Sequence, residues 1–285
     1  MKVSYYPGCS LHSTGLEYGE STKEVCRILD IDLEELSDWN CCGAGSAHVT
    51  DEALAIELAT RNLTIAEEAG IDMDLVIPCA ACFNRFKVAE KHIREEKEPV
   101  IDTPYTGKVP VKHLLDFLSE EEHITAIKDK IEKPLTGLKV VCYYGCLITR
   151  PPEITDAKKY DNPQNMDDLL TLLGAETYSW SYKTDCCGGS LMLSRPDIVT
   201  ELSGKLVLKA EEAGADCMVT ACPLCQANLD TKQGWMARKW GRKVHFPSFY
   251  FTELLGLALG SEKIEPLLKK HVIDPRGLLK SKGLL

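Results

Sequence analysis

The sequence predicts an α/β fold built from two pseudo-symmetric modules, each with a short parallel sheet, flanking helices and cysteines collected at loop ends. Three observations support this prediction. Apolar strand-like runs alternate with amphipathic helical segments, the cysteines repeat in two matching arrays, and 285 residues suffice for about two domains of ~150 residues each. We expect the first module to span residues 1–135 and the second to span residues 136–285.

The predicted elements occur in the same order in both halves. Short strands at residues 3–6 and 138–143 precede the first cysteine of each array. Helices follow at residues 51–69 and 196–213, where apolar side chains recur at helical spacing and a glycine ends each pattern.

A second pair of strands follows these helices, at residues 74–77 and 218–220. Both are continuous apolar runs, which is typical of strands buried in a parallel sheet. Cysteines stand just beyond these strands, at the sheet edge where open α/β folds place their binding crevices.

Ten of the 13 cysteines form two copies of one pattern: a single cysteine, an adjacent pair followed by glycine, and a CxxC. The gaps match closely, with 31 and 39 residues before the pair and 36 and 34 after it. The first array is Cys9, Cys41, Cys42, Cys79 and Cys82, and the second is Cys146, Cys186, Cys187, Cys222 and Cys225.

The sequence around the cysteines repeats as well. Residues 66–70 and 210–214 share the sequence AEEAG, and residues 113–115 pair loosely with residues 253–255. A repeat of this length indicates two related domains, because the repeats of solenoids are only ~20–50 residues long.

Composition limits the function and the location of the chain. The net charge of −10 argues against a nucleic-acid partner, which would require a basic surface. No apolar run is long enough for a membrane span, and the N-terminus lacks the apolar core of a signal peptide. We therefore expect a cytoplasmic protein, in which clustered thiols serve metal or redox chemistry more often than disulfides.

The adjacent cysteines bear on the kind of metal. Structural zinc takes four ligands, commonly as two separated pairs, so each CxxC could be half of a zinc site. Two neighbouring thiolates reach one small ion only with strain, but they can ligate two different metal atoms. This favours a multinuclear iron–sulfur centre, although the usual ferredoxin spacing is absent. Two structural zinc domains and a thioredoxin-like enzyme using one CxxC remain as alternatives.

The pattern C…CCG…CxxC, present twice, resembles the CCG cysteine-rich domain family, in particular the B subunits of methanogen heterodisulfide reductases. The resemblance implies one noncubane [4Fe-4S] cluster per module, made of a [3Fe-4S] and a [2Fe-2S] unit that share one iron and one sulfide. The five cysteines of each array would be its ligands. The implied activity is the reduction of the disulfide that joins coenzyme M and coenzyme B to the two thiols.

The resemblance also implies partner subunits, because the sequence shows no flavin or nicotinamide motif. A C subunit with ordinary [4Fe-4S] clusters and a flavin-bearing A subunit would supply electrons, together with a hydrogenase or formate dehydrogenase. The alternative within the wider family is an electron-transfer component of a hydroxy-acid or quinone oxidoreductase.

Basic residues close to the cysteines in sequence are candidates for binding an anionic substrate. His48, Arg150 and Lys183 are the foremost, and His48 could also donate a proton to a leaving thiolate. Further candidates are Arg85, Lys87 and Arg195.

Three cysteines lie outside the arrays, and we expect them to be core thiols. They are Cys26, Cys142 and Cys217, of which Cys142 is a possible substitute ligand. The tail from Glu262 onward could pack on its own domain or serve as a docking arm.

Overall fold

A computed structural model describes residues 1–70, 73–95 and 105–285. The strands are β1 (Lys2–Tyr5), β2 (Asp32–Glu35), β3 (Leu75–Ile77), β4 (Val111–His113), β5 (Lys139–Tyr143), β6 (Glu176–Thr177), β7 (Cys217–Thr220) and β8 (Ser248–Tyr250). The helices are α1 (Gly8–Leu11), α2 (Leu16–Ile28), α3 (Ala47–Thr50), α4 (Glu52–Ala69), α5 (Ala80–Arg94), α6 (Leu114–Leu118), α7 (Glu121–Asp129), α8 (Pro152–Thr155), α9 (Asn165–Leu172), α10 (Pro196–Glu212), α11 (Pro223–Thr231), α12 (Gln233–Trp240), α13 (Phe251–Ala258), α14 (Ile264–Leu268) and α15 (Arg276–Ser281).

The strands form two four-stranded parallel sheets with the same topology. The first has the order β2-β1-β3-β4 and the second the order β6-β5-β7-β8. In each sheet the chain moves from its first strand to one edge and then returns to the other side, as in doubly wound folds. The predicted α/β fold with two short parallel sheets and flanking helices is confirmed.

The central strands follow from their sequences, whereas the edge strands do not. β3 and β7 are fully buried apolar runs, as continuous hydrophobic strands in a parallel sheet should be. β2 has the sequence DLEE and is largely exposed, because only one of its sides pairs with another strand. This acidic edge carries no apolar alternation that would predict a strand.

The two long helices begin and end close to the predicted positions. α4 begins after Asp51, whose carboxylate accepts a hydrogen bond from the backbone N–H of Leu54 at 3.1 Å. α10 begins at Pro196, a residue favoured in the first turn because its missing N–H would have no helical partner there. α4 packs on α5, and α10 packs on α11 and α12. Each of these two helices follows a CCG segment and precedes a CxxC segment in the chain.

The two halves pack against each other through equivalent helices. α2 packs on α13, and α6 packs on α9. The rings of Tyr18 on α2 and Tyr250 stack with a centroid separation of 4.2 Å, and the hydroxyls of Ser21 and Thr252 lie 2.7 Å apart. One hydrophobic core therefore includes residues of both halves.

The structure corrects one detail of the sequence repeat. β4 and β8 are the equivalent last strands of the two sheets, and they end at His113 and Tyr250. His113 therefore corresponds to Tyr250, and the pairing of residues 113–115 with 253–255 was wrong by three positions. Each of the two helices that follow these strands contains a Leu-Leu pair, but the two pairs do not occupy equivalent positions.

The C-terminal tail packs on the body of the protein. Leu268 on α14 and Leu279 on α15 are buried, and Lys282 forms an ion pair with Asp216 at 2.7 Å. The backbone N–H groups of Val272 and Ile273 both donate to the carboxylate of Asp230 at 2.7 Å. The tail also reaches the first half, since α14 packs on α2 and Lys263 pairs with Glu24 at 2.9 Å. It is therefore packed against both halves rather than a free docking arm.

Candidate metal centres

The cysteines of both arrays gather at the carboxyl ends of the parallel strands. Cys9 follows β1 and Cys79 follows β3, the two neighbouring strands between which the strand order reverses. Cys146 and Cys222 occupy the same positions after β5 and β7. This is the crevice in which open α/β sheets bind their ligands.

The five thiols of the first array form one continuous chain of pairwise interactions. The sulfur atoms of Cys42 and Cys82 lie 3.1 Å apart, Cys82 also interacts with Cys79, and Cys9 interacts with Cys41. Hydrogen bonds from the thiols of Cys42 and Cys9 lower the pKa of Cys41. The pKa of Cys9 is raised, chiefly by its hydrogen bond with Cys41 and secondly by burial. The array therefore favours thiolate at one position and can release further protons to a metal.

The second array repeats these contacts, and backbone N–H groups reach its adjacent cysteines as those of Gly43 and Ala44 reach Cys41 and Cys42. The sulfur atoms of Cys187 and Cys225 lie 3.6 Å apart, and Cys146 interacts with Cys186. The backbone N–H groups of Gly188 and Gly189 donate to the sulfur atoms of Cys186 and Cys187 at 3.3 and 3.4 Å. These interactions lower the pKa of both Cys186, chiefly through Cys146, and Cys187, chiefly through Cys225.

The two arrays meet at their CxxC segments. Cys79 and Cys222 are buried and interact directly, although they belong to different halves of the sequence. The hydroxyl of Tyr18 lies 3.3 Å from the carbonyl oxygen of Pro78 and 3.4 Å from that of Ala221. The residues directly before both CxxC segments are thus linked by one side chain.

His113 lies at the same junction. Its Nε2 atom is 2.9 Å from the carbonyl oxygen of Pro78, and it also interacts with the backbone of Ala221. Burial lowers the pKa of His113 to about 4, so the ring is neutral at physiological pH. Tyr18 and His113 were not predicted from sequence, because neither is near a CxxC segment in the chain.

The arrays differ in exposure along their length. The CxxC cysteines are buried, whereas Cys9, Cys41 and Cys186 are exposed and Cys146 is half-buried. Each array therefore has an inner end at the junction between the halves and an outer end that reaches the surface.

Two glycines make room for the sulfur atoms. Gly8 and Gly145 have φ values of +69° and +68°, which glycine adopts without strain. A Cβ atom would lie 3.0 Å from the sulfur of Cys82 at Gly8 and 2.9 Å from that of Cys225 at Gly145. The glycine before the first cysteine of each array is thus required for close packing against the CxxC.

The donor set fits an iron–sulfur cluster better than zinc. Each array brings five thiols together, one more than a tetrahedral zinc site uses. An adjacent pair among the five suits a centre with several metal atoms, and thiolates are the usual ligands of iron–sulfur clusters. A thioredoxin-like site would use two thiols and leave the others unexplained.

The basic candidates occupy different environments. His48 on α3 is exposed, and Arg150 is exposed with its guanidinium donating to the hydroxyl of Thr184 at 2.8 Å. Arg85 is half-buried and interacts electrostatically with Cys42, while burial lowers its pKa. These three keep a cationic or titratable group near a cysteine segment.

Lys183, Lys87 and Arg195 do not fit an anion-binding role. Lys183 is 3% exposed and pairs with Asp167 at 2.9 Å, so its charge is already neutralised inside the protein. Lys87 is likewise buried between Glu90 and Asp156, and Arg195 pairs with Asp197 on the surface. Proximity to a cysteine in sequence did not bring these side chains to the thiols.

The three remaining cysteines lie away from the arrays. All are buried, and burial raises the pKa of each thiol, to about 12 for Cys26. The side chain of Cys142 interacts with Asp167, whereas the next residue, Tyr143, is the one affected by the second array. Successive side chains of a strand point to opposite faces, so β5 directs Cys142 away from the metal site. This placement argues against Cys142 as a substitute ligand.

Two doubly wound modules that each hold five thiols define a duplicated cysteine-rich metal-binding protein. The sequence matches the family described as the CCG cysteine-rich domain over residues 3–87 and 140–230. The chain belongs to this family.

Several relatives are similar over nearly their whole length. The 8-methylmenaquinol:fumarate reductase membrane anchor subunit of Wolinella succinogenes is 28% identical over 96% of this chain and 97% of that protein. The B subunit of the ferredoxin/F(420)H(2)-dependent CoB-CoM heterodisulfide reductase of Methanosarcina acetivorans is 28% identical over 96% and 94%. A protein of Archaeoglobus profundus, described as similar to the heterodisulfide reductase B subunit, is 27% identical over 91% of each chain.

A solved structure shares the fold. The crystal structure of a hypothetical protein from Helicobacter pylori superposes with a TM-score of 0.75 at 10% identity, covering 96% of this chain and 52% of that one.

In the part of the chain that the structure describes, no helix is long and apolar enough to cross a bilayer.

Proposed function

We propose that the chain is the catalytic iron–sulfur subunit of a heterodisulfide reductase, which reduces the disulfide of coenzyme M and coenzyme B. The main observation in support of this proposal is that two complete five-thiol arrays meet at Cys79 and Cys222. Cleaving one S–S bond takes two electrons and two protons and yields two thiols. Two one-electron centres at one junction suit this requirement.

Each array would hold one noncubane [4Fe-4S] cluster through its five cysteines. When bound, the two clusters would supply one electron each. We propose one module on each side of residues 135 and 136; the order of the strands supports this, since β1–β4 precede this point and β5–β8 follow it. The exposed outer cysteines leave a path from the surface to each cluster.

The surrounding residues would bind the substrate and receive electrons from partners. His48, Arg150 and Arg85 remain candidates for contacting its sulfonate, phosphate or carboxylate, because they retain basic groups near the cysteine segments. Electrons would come from a C subunit with [4Fe-4S] clusters and a flavin-bearing A subunit, linked to a hydrogenase or formate dehydrogenase. The two relatives named for heterodisulfide reductase support this assignment.

A second candidate function is electron exchange with a quinol in a fumarate reductase-type complex. The observation that favours it is the full-length similarity to the Wolinella protein, whose name states that reaction. The cysteine arrays suit either function: reduction of the disulfide takes up two electrons and oxidation of a quinol releases two, and in both cases one-electron centres would carry them.

Turnover assays separate these candidates. The protein is purified without oxygen, its iron and sulfide are measured, and reduced methyl viologen is offered with the heterodisulfide or with a menaquinone analogue. Heterodisulfide-dependent viologen oxidation supports the first function, and quinone-dependent oxidation alone supports the second. Zinc in place of iron would refute both.

Single cysteine variants test the assignment of one cluster to each array. Cys42→Ser and Cys187→Ser should each lower the iron content to about half of the wild-type value and abolish turnover. Cys217→Ser is the matched control, because this thiol is buried on β7 away from both arrays. Loss of all iron from either of the first two variants would instead indicate one shared centre.

A further inference from the structure

A basic segment stands out on this acidic protein. Residues 232–245 contain five lysines and arginines and no aspartate or glutamate, whereas the whole chain has a net charge of −10. The segment consists of Lys232, helix α12 and the loop that leads to β8. A cluster of this size on one helix and its flanks is typical of surfaces that bind anions collectively.

Two apolar side chains project from the same surface. Trp235 on α12 is 48% exposed, and Leu193 is 90% exposed. The ammonium group of Lys232 links the two segments, since it donates to the carbonyl oxygen of Met192 at 3.2 Å and lies 5.9 Å from the Trp235 ring centroid. The guanidinium of Arg238 lies 5.1 Å from the same ring. The exposed apolar side chains therefore stand beside cations.

Part of this positive charge is free to act on a ligand. Lys239 pairs with Glu201 and Arg242 pairs with Glu211, both glutamates of α10. In the described part of the chain, Arg238 and Lys243 have no carboxylate partner. We call the surface formed by Leu193, Trp235, Arg238 and Lys243 the basic-aromatic surface; Lys232, which is only 9% exposed, lies beneath it.

We propose that the basic-aromatic surface binds an anionic lipid bilayer. A rigid protein partner would need a pocket for Leu193, which projects almost completely from its neighbours. The interfacial region of a bilayer accommodates such a side chain without a preformed pocket, favours tryptophan and attracts lysine and arginine through anionic headgroups.

The basic-aromatic surface includes a residue that follows the second CCG closely in the chain. Leu193 lies six residues after Cys187, and the amide of Asn228 on α11 contacts both the sulfur of Cys187 at 3.5 Å and the carbonyl of Gly189 at 3.1 Å. Binding would bring the segment that follows the second CCG, which carries Leu193, to the membrane. Such an orientation is compatible with either substrate, a heterodisulfide or a quinol.

Vesicle cosedimentation of the full cluster-loaded chain tests the proposal. We expect binding to vesicles of phosphatidylcholine with about 30% phosphatidylglycerol, no binding to pure phosphatidylcholine, and release at roughly 0.5 M salt. The double variant Arg238→Gln/Lys243→Gln should weaken binding roughly thirtyfold. Trp235→Phe should remove the blue shift of tryptophan fluorescence that accompanies insertion.

The matched control changes the same charge elsewhere. Lys269 and Lys270 are exposed and unpaired in the described structure, so Lys269→Gln/Lys270→Gln should bind vesicles as the wild type does. Equal weakening by both double variants would overturn the proposal, since it would indicate general charge attraction. Absence of vesicle binding, with an acidic protein partner bound through this surface instead, would overturn it too. Cluster content and turnover, measured in parallel, report separately on the proposed function.

Discussion

Replacing Gly145 by alanine should remove the second cluster while leaving the first in place. The new Cβ would lie 2.9 Å from the sulfur of Cys225, shorter than an ordinary contact of 3.4 Å or more. The sulfur or the loop must therefore move by about half an ångström, which exceeds the tolerance of roughly 0.2 Å in a metal–ligand distance. We expect iron to fall to about half of the wild-type content.

The variant also has a conformational cost that must be separated from the contact. An alanine at a φ of +68° costs about 1–2 kcal/mol, which corresponds to a fall in Tm of roughly 2–8 °C for a protein of this size. Gly137→Ala is the matched control, because Gly137 has a φ of +80° but no atom would lie within 4 Å of the added Cβ. This control should show the fall in Tm and keep all of its iron.

The assay is iron and sulfide analysis of both variants beside thermal unfolding under anaerobic conditions. Full iron in Gly145→Ala, with the same change in Tm as in Gly137→Ala, would refute the idea that this glycine makes room for a cluster ligand. Gly8→Ala should give the corresponding loss in the first array, since its Cβ would lie 3.0 Å from the sulfur of Cys82.

Two further predictions concern stability. Tyr18→Phe should lower Tm by roughly 2–4 °C, because about 1 kcal/mol of hydrogen bonding to two buried carbonyls is lost. Its iron content should stay unchanged. Tyr160→Phe, at an exposed tyrosine, is the control and should alter neither Tm nor iron content. His271 is buried, and although burial opposes its charge, the adjacent carboxylate of Glu253 at 2.8 Å raises its pKa to about 9. Because the folded pKa exceeds the unfolded value of about 6.5, its contribution is complete below pH 6.5 and is lost as pH rises through 9. Urea unfolding should show a loss on the order of 3 kcal/mol across this window in the wild type, and little of it in His271→Gln; equal losses in both would exclude this ion pair as the cause.

The sequence predicted the central elements well because they are repetitive and apolar. β3 and β7 are buried runs, and α4 and α10 carry helical apolar stripes that end at glycine. The edge strand β6 has only two residues and β2 is acidic, so neither carries a periodic pattern. Their place in the sheets depends on pairing with a neighbour, which one local segment does not encode.

The site could be predicted only where the type and spacing of the residues indicate their chemistry. Cysteine spacing revealed two arrays, but it could not show that Cys79 interacts with Cys222, because this proximity depends on how the halves pack. Lys183 shows the opposite error, since it stands three positions before Cys186 while its ammonium group pairs with Asp167. Strand and loop direction, rather than sequence distance, decides which side chains reach the thiols.

The packing of the halves explains why the two modules are needed together. α2 lies against α13 and α6 against α9, so each half covers the other with equivalent surfaces and the carboxyl edges of the two sheets are brought together. Tyr18 fixes this arrangement at the main-chain atoms before both CxxC segments. A single module could hold five thiols, but the junction of Cys79 and Cys222 exists only in the pair. Any chemistry that needs two one-electron centres at a fixed separation would therefore depend on the interface between the halves as much as on the cysteines themselves.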